Sequence, residues 1–223
     1  MSTALARKAY RSVRNVIMER SGLQPKGVHR FSIQGNKFEN DDLYRITLPN
    51  LSGELRPIMR QYMDCYGMGN KSLLVSENSS VRDVLSAHYP DVTFLVSDYY
   101  TELMNDKSQT SVDYVWDVCC DFPDNLKNER FGSILSQSLL EHTIAPTIAI
   151  TNLLSLLEKG GYLYLSTHTP SFHYHAYPRD YVRFHHDYFY DLPDYVLKAF
   201  GYKIQLTELY SSFGVVCVCY RRE

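Results

Sequence analysis

No apolar run in the 223 residues approaches the roughly 20 needed to cross a bilayer, so no membrane-spanning helix is expected. CxxC spacing is absent, and the cysteines are odd in number: Cys65, Cys119, Cys120, Cys217 and Cys219. Both facts argue against a disulfide framework and a structural zinc site. The five read instead as reduced, mostly buried thiols of a cytoplasmic protein. Charge of one sign is not in excess. A formal net charge of −2 offers no general attraction to phosphate backbones, and a nucleic-acid partner is not expected. Neither GxGxxG nor GK[ST] occurs, which argues against the other nucleotide-using doubly wound families. HxxxH and HExxH are also missing, and no metal is assigned. Most telling is glycine: none occurs between Gly69 and Gly132.

What is present suits one folded domain with an extension. Hydrophobic residues make up 44% of the chain and charged ones 22%, enough for an ordinary core and an ordinary surface. Residues 4–20 carry a mixed apolar and basic helical pattern, ended by Ser21-Gly22. Residues 22–56 show no sustained period, and Glu54 to Tyr66 reads as a short helix with Pro57 in its first turn. From Lys71 onward short apolar runs alternate with helical patterns. Strands are expected at Leu73–Val75, Val92–Val96, Val112–Val118, Gly132–Leu135 and Tyr162–Ser166, with helices at Val81–His88 and 145–158. Two late runs, Lys203–Leu209 and Val215–Tyr220, read as an antiparallel hairpin at the sheet edge. The expected fold is therefore α/β: a doubly wound, Rossmann-like, mostly parallel sheet over residues 71–223, preceded by a helical and irregular extension over 1–70.

Two segments carry a family resemblance. Phe131-Gly132-Ser133-Ile134-Leu135 leads to Leu140-Glu141-His142, a helix, Gly160-Gly161 and Tyr162-Leu163-Tyr164-Leu165-Ser166-Thr167. His175-Ala176-Tyr177-Pro178-Arg179-Asp180-Tyr181-Val182-Arg183-Phe184 follows. Together they resemble the class I S-adenosylmethionine-dependent methyltransferases, over roughly residues 71–220. The resemblance implies S-adenosylmethionine as cofactor, bound beyond the carboxyl ends of the strands near the point where strand order reverses.

Carried onto this sequence, the resemblance nominates Ser76, Glu77, Asn78, Asp98, Asp117, Cys119 and Gln137 for the cofactor. Asp98, at the end of the second strand, can accept hydrogen bonds from ribose hydroxyls, or can be a turn aspartate. Asp117 and Cys119 fall where the family holds adenine, or form a turn acid beside a thiol. Gln137 lines the methionine end or is a loop polar residue. The turn Ser76-Glu77-Asn78-Ser79-Ser80 stands where the family carries glycines, which allow positive φ and close approach.

Five of the eight histidines lie between His168 and His186. His175 is the candidate base or acceptor-binding residue, because a neutral imidazole can take a proton near neutral pH. His173, Tyr177 and Arg183 are candidates for holding the acceptor, although Arg183 can equally pin its loop through Asp180. Glu141-His142 reads as packing at the start of a helix. The expected reaction is methyl transfer to an oxygen or nitrogen of a small molecule or sugar. The alternative is a silent methyltransferase-like scaffold. Homodimerisation or a homologous partner protein is compatible with either.

Overall fold

The computed structural model describes residues 55–77, 79–99, 112–175, 179–212 and 214–223. The helix expected at residues 4–20 and nearly all of the irregular stretch after it lie outside them. The described chain runs α1 (Pro57–Tyr66), β1 (Lys71–Val75), α2 (Ser79–His88), β2 (Thr93–Asp98), β3 (Tyr114–Val115) and β4 (Phe131–Gln137). A 3-10 turn (Leu140–His142), α3 (Pro146–Ser155), β5 (Leu157–Thr167), α4 (His186–Phe200), β6 (Ile204–Ser212) and β7 (Val215–Arg222) complete it.

The seven strands form one sheet in the order β3-β2-β1-β4-β5-β7-β6. The first five are parallel, while β7 lies antiparallel to both β5 and β6. Consecutive strand residues face opposite sides, and the sequence uses both. Leu73, Ile134, Leu163 and Leu165 enter one apolar cluster with α3 and α4. Leu74, Leu135, Tyr164 and Cys217 enter the other with α1 and α2. Apolar runs without alternation are what a sheet covered on both faces requires. Each fully buried leucine contributes about 1.5–3 kcal/mol.

Several boundaries differ from the expectations. The third strand has only two residues, because Asp113 turns its carboxylate back to accept the Val96 N–H and the chain leaves the sheet after Val115. Helix α3 stops at Ser155 rather than at residue 158. Leu157 already pairs with Phe131, so the apolar run continuing past the helix is the start of β5. Gln137 is the last residue of β4, not a loop residue. Cys65 and Cys120 are exposed and Cys119 half-buried, so only Cys217 and Cys219 are the buried thiols expected. Cys119 and Cys120 sit in a turn after β3.

Helix α4 was concealed by its sequence, which carries Pro193 in its interior. Proline has no N–H for the carbonyl four residues back. That carbonyl belongs to Phe189, and the buried Tyr220 hydroxyl of β7 donates to it at 2.6 Å. The helix ends in Gly201, whose φ of 75° is the left-handed stop that glycine adopts without a steric penalty.

Candidate functional site

In this strand order the reversal lies between β1 and β4, and the chain leaves both strands in the same unusual way. Ser76 follows β1 with φ 58°, and Ser138 follows β4 with φ 52°. Left-handed backbone at a residue with a side chain costs on the order of 1 kcal/mol. Each serine N–H is fixed to the neighbouring strand: Ser76 donates to the Ser97 carbonyl and Ser138 to the Ser166 carbonyl, both at 2.9 Å.

Behind these turns is a buried polar group. Glu77 points inward, 3% exposed. Its two oxygens accept from Gln137: Oε1 from the backbone N–H at 2.6 Å and Oε2 from the side-chain amide at 3.1 Å. Burial pushes the Glu77 carboxyl up to about 8, against the opposing pull of the Gln137 donors and nearby Arg56. Arg56 is itself buried. Its backbone N–H donates to Gln137 Oε1 at 2.9 Å, and its guanidinium reaches the Ser138 hydroxyl. The Nη1 of Arg56 has no hydrogen-bond partner among the described residues. Asp98 closes β2 on the same side, 5% exposed, and its charge adds to the pressure on Glu77.

Asp117 and Cys119 form a local turn beside this group, with Asp117 Oδ1 accepting the Cys119 N–H at 2.9 Å. Burial raises the Cys119 thiol, which favours the protonated form. Asn78 and Tyr177 lie outside the described residues.

A second polar cluster sits at the carboxyl end of β5. Glu141 is completely buried on its 3-10 turn. The Thr167 hydroxyl donates to its Oε2 at 2.5 Å, and His168 Nε2 lies 3.1 Å from its Oε1. Burial raises the Glu141 carboxyl and lowers His168 to about 3. Both directions favour a neutral pair. His175 stands over this group, its ring 5.0 Å from that of His168 and 4.9 Å from that of His142. Burial lowers His175 as well, with Asp180 opposing the shift.

The loop that carries His175 is held by Arg183. Its guanidinium makes a two-point ion pair with Asp180 and donates to the carbonyls of Phe172, Val182 and His173. Burial alone would raise Asp180; Arg183 and the His175 N–H outweigh it and hold that carboxyl at about 2. Arg183 therefore acts on its own loop in this structure. His173 is exposed and stacked on Phe172. Arg56, Ser138, Glu141, His142 and His168 belong to the two clusters although the sequence nominated none of them. The adjacency of Glu141 and His142 was visible, but only the 3-10 turn aims both at the β5 loop.

No protein-family model matches the sequence, and no curated protein matches it closely. Solved structures do share its fold. The plantazolicin methyltransferase BpumL, in complex with S-adenosylhomocysteine and a monoazolic desmethylPZN analogue, aligns with a TM-score of 0.57 at 10% identity. That alignment covers 74% of this chain and 82% of that one. The S-adenosylhomocysteine-bound N-terminal domain of EvdMO1 aligns at 0.52 with 18% identity, covering 94% of this chain and 97% of that one. A Rhodobacter sphaeroides protein described as a Zn-dependent alcohol dehydrogenase aligns at 0.56 with 10% identity, covering 82% and 96%. At such identities the likeness concerns architecture. With strand order, the antiparallel β7 and these neighbours in agreement, the chain has the fold of the class I methyltransferases.

Proposed function

We propose that this chain is a methyltransferase that uses S-adenosylmethionine to methylate an oxygen or nitrogen of a small molecule or sugar. The observation that carries the reading is Asp98, a buried carboxyl group closing β2 beside the strand-order reversal of a methyltransferase sheet. An acid there suits ribose hydroxyls. The other groups fit the rest of the cofactor. In this reading Asp117 and Cys119 serve the adenine, Gln137 the methionine end, and Ser76, Glu77 and Asn78 the first loop of the cofactor site. The unpartnered Nη1 of Arg56 matches the methionine carboxylate in charge.

When bound, the cofactor supplies an electrophilic methyl group whose sulfonium sulfur leaves as a thioether. The chain's own part is alignment, because the attacking atom must lie in line with the departing sulfur. The histidine cluster after β5 supplies that surface: His175 is the group placed to take the acceptor's proton, and Asp180 with Arg183 fixes its loop. His173 and Tyr177, from the same segment, are the further residues assigned to the acceptor in this reading.

One observation favours the scaffold reading. Glu77 turns into the first loop and holds Gln137 with both oxygens, in a turn that has no glycine. A partner-binding domain would keep that pair closed, and a cofactor would have to open it.

Calorimetric titration of the folded protein with S-adenosylmethionine and S-adenosylhomocysteine separates the readings. Saturable binding, weakened at least about tenfold in Asp98→Ala, is the expected result. Absence of binding at millimolar ligand would overturn the enzymatic reading.

A further inference from the structure

Three histidines from two segments gather around the Glu141 carboxyl group, and each has its Nδ1 beside an oxygen. His142 Nδ1 lies 2.6 Å from the Arg179 carbonyl, and His168 Nδ1 lies 2.9 Å from the Gly214 carbonyl. His175 Nδ1 lies 3.2 Å from Asp180 Oδ2. A carbonyl oxygen only accepts, so Nδ1 of His142 and of His168 carries the proton and Nε2 presents a lone pair. His175 takes the same tautomer when it donates to Asp180. Arg183 Nη2, 3.4 Å from that Nδ1, would favour the opposite one, but Asp180 and the His173 carbonyl already engage this nitrogen. Nδ1 held by oxygen with Nε2 left open is the arrangement found behind metal-ligating histidines.

We propose that Glu141, His142 and His175 form a three-ligand site for a divalent transition metal of the zinc kind, with an open fourth position. One ligand atom from each of the three lies within 4.8 Å of the others. Around a tetrahedral zinc, ligand atoms stand about 3.3–3.6 Å apart, so binding requires the side chains to draw in by about 1 Å. Two imidazoles and one carboxylate suit zinc or cobalt better than magnesium. The burial pattern agrees. Glu141 is completely enclosed, and among the described residues its Oε1 has no aligned hydrogen-bond partner despite the nearness of His168. The carboxyl group, neutral while the site is empty, would give up its proton to the ion that takes its place. His142 and His175 are half-buried and leave the outer side open. His168 stands behind Glu141 and orients it. Asp180 balances the charge of Arg183, whose Nη2 lies 3.4 Å from His175 Nδ1.

The site extends the proposed reaction, and only its consequence rests on that reading. An acceptor hydroxyl at the open position would lose its proton more readily beside the ion. His175 would then hold the metal, and the proton of the ion-bound hydroxyl would pass to solvent water. Metal binding itself requires no methyl transfer.

The test is titration of the chelator-treated full chain with Zn²⁺ alone by calorimetry, and with Co²⁺ by absorption spectroscopy. One equivalent of Zn²⁺ is expected. Affinity should fall at least about tenfold in His142→Ala and in His175→Ala, and stay unchanged in His88→Ala. Co²⁺ should give the visible bands of a four-coordinate ion, lost in the same two variants. Glu141→Gln, close to isosteric, repeats the test should either alanine variant fail to fold. No Zn²⁺ uptake at about 100 μM, or an affinity that survives all three substitutions, would overturn the site. Zn²⁺ uptake without S-adenosylmethionine binding would sink methyl transfer and leave the metal centre standing. The reverse would sink the metal centre and return His175 to proton transfer.

Discussion

At the amino ends of β1 and β4 the chain approaches itself by omitting side chains, whereas at the carboxyl ends of the same strands it buries polar ones. Gly69 and Gly132 pack Cα against Cα, and a Cβ on Gly132 would fall 2.5 Å from the Gly69 Cα. At the other end, Ser76 and Ser138 take left-handed turns with side chains attached, above a cluster of Glu77, Gln137 and Arg56. Glycine is present where strands must touch and missing where a methyltransferase would use it to admit a ligand. The difference shows that the absent glycines do not reflect a looser architecture. The strands are closely set, and the carboxyl end holds its turns by hydrogen bonds and buried charge.

The largest effect that can break this comparison is the pH dependence of Glu77. Its carboxyl is raised in the folded state from the usual 4.5 to about 8, so the folded protein holds a proton that the unfolded chain releases across that interval. Stability contributed in this way is present below about pH 4.5 and lost as the pH rises through about 8. Relative to Glu77→Gln, the wild type should lose on the order of 4 kcal/mol between pH 4 and pH 9 in urea unfolding. Parallel curves for the two proteins would show that Glu77 is not held as an acid.

Next in size is Gly132→Val at the amino end. A branched side chain there meets backbone, which cannot rotate away, and a loss of about 3 kcal/mol or more is expected in thermal unfolding. A stability within about 1 kcal/mol of wild type would mean the strands can part without cost, and the contrast between the two ends would fail.

The smallest effect sharpens the contrast. Ser76→Gly removes a steric cost of about 1 kcal/mol in the left-handed turn but adds backbone freedom to the unfolded chain. The net gain should stay under about 1 kcal/mol, while Ser76→Val, β-branched at the same φ, should lose more than that. A marked loss on glycine substitution would show that the serine side chain, and not the turn, is what the site needs.

The sheet was legible because its signal is local. Leu73–Val75 and Leu163–Leu165 are uninterrupted apolar runs, as strands covered on both faces must be, and Asp98 could be placed at a strand end because it follows the run Val92–Val96 by two residues. The errors arose where tertiary structure overrides pattern. Leu156 and Leu157 continue the helical run of α3, yet pairing with Phe131 draws Leu157 into β5. Gln137 reads as a loop residue, and its pairing with Ser166 keeps it in β4. The histidine cluster was half visible. His175 announced itself through its segment, but His142 joins it only because the carbonyl of Glu141 accepts the N–H of Tyr181 and brings the two segments together. Contacts of that kind leave no period or spacing in a sequence.

The hydroxyl of Tyr220 on the Phe189 carbonyl has a consequence for cooperativity. Helix α4 cannot finish its own hydrogen bonding, since Pro193 leaves one carbonyl without a helical donor. A strand that follows in sequence and enters the sheet between β5 and β6 completes it. Secondary structure here leans on tertiary structure: the hydrogen bond that α4 cannot make for itself comes from β7, so the helix and the β6–β7 hairpin should lose hydrogen-exchange protection together.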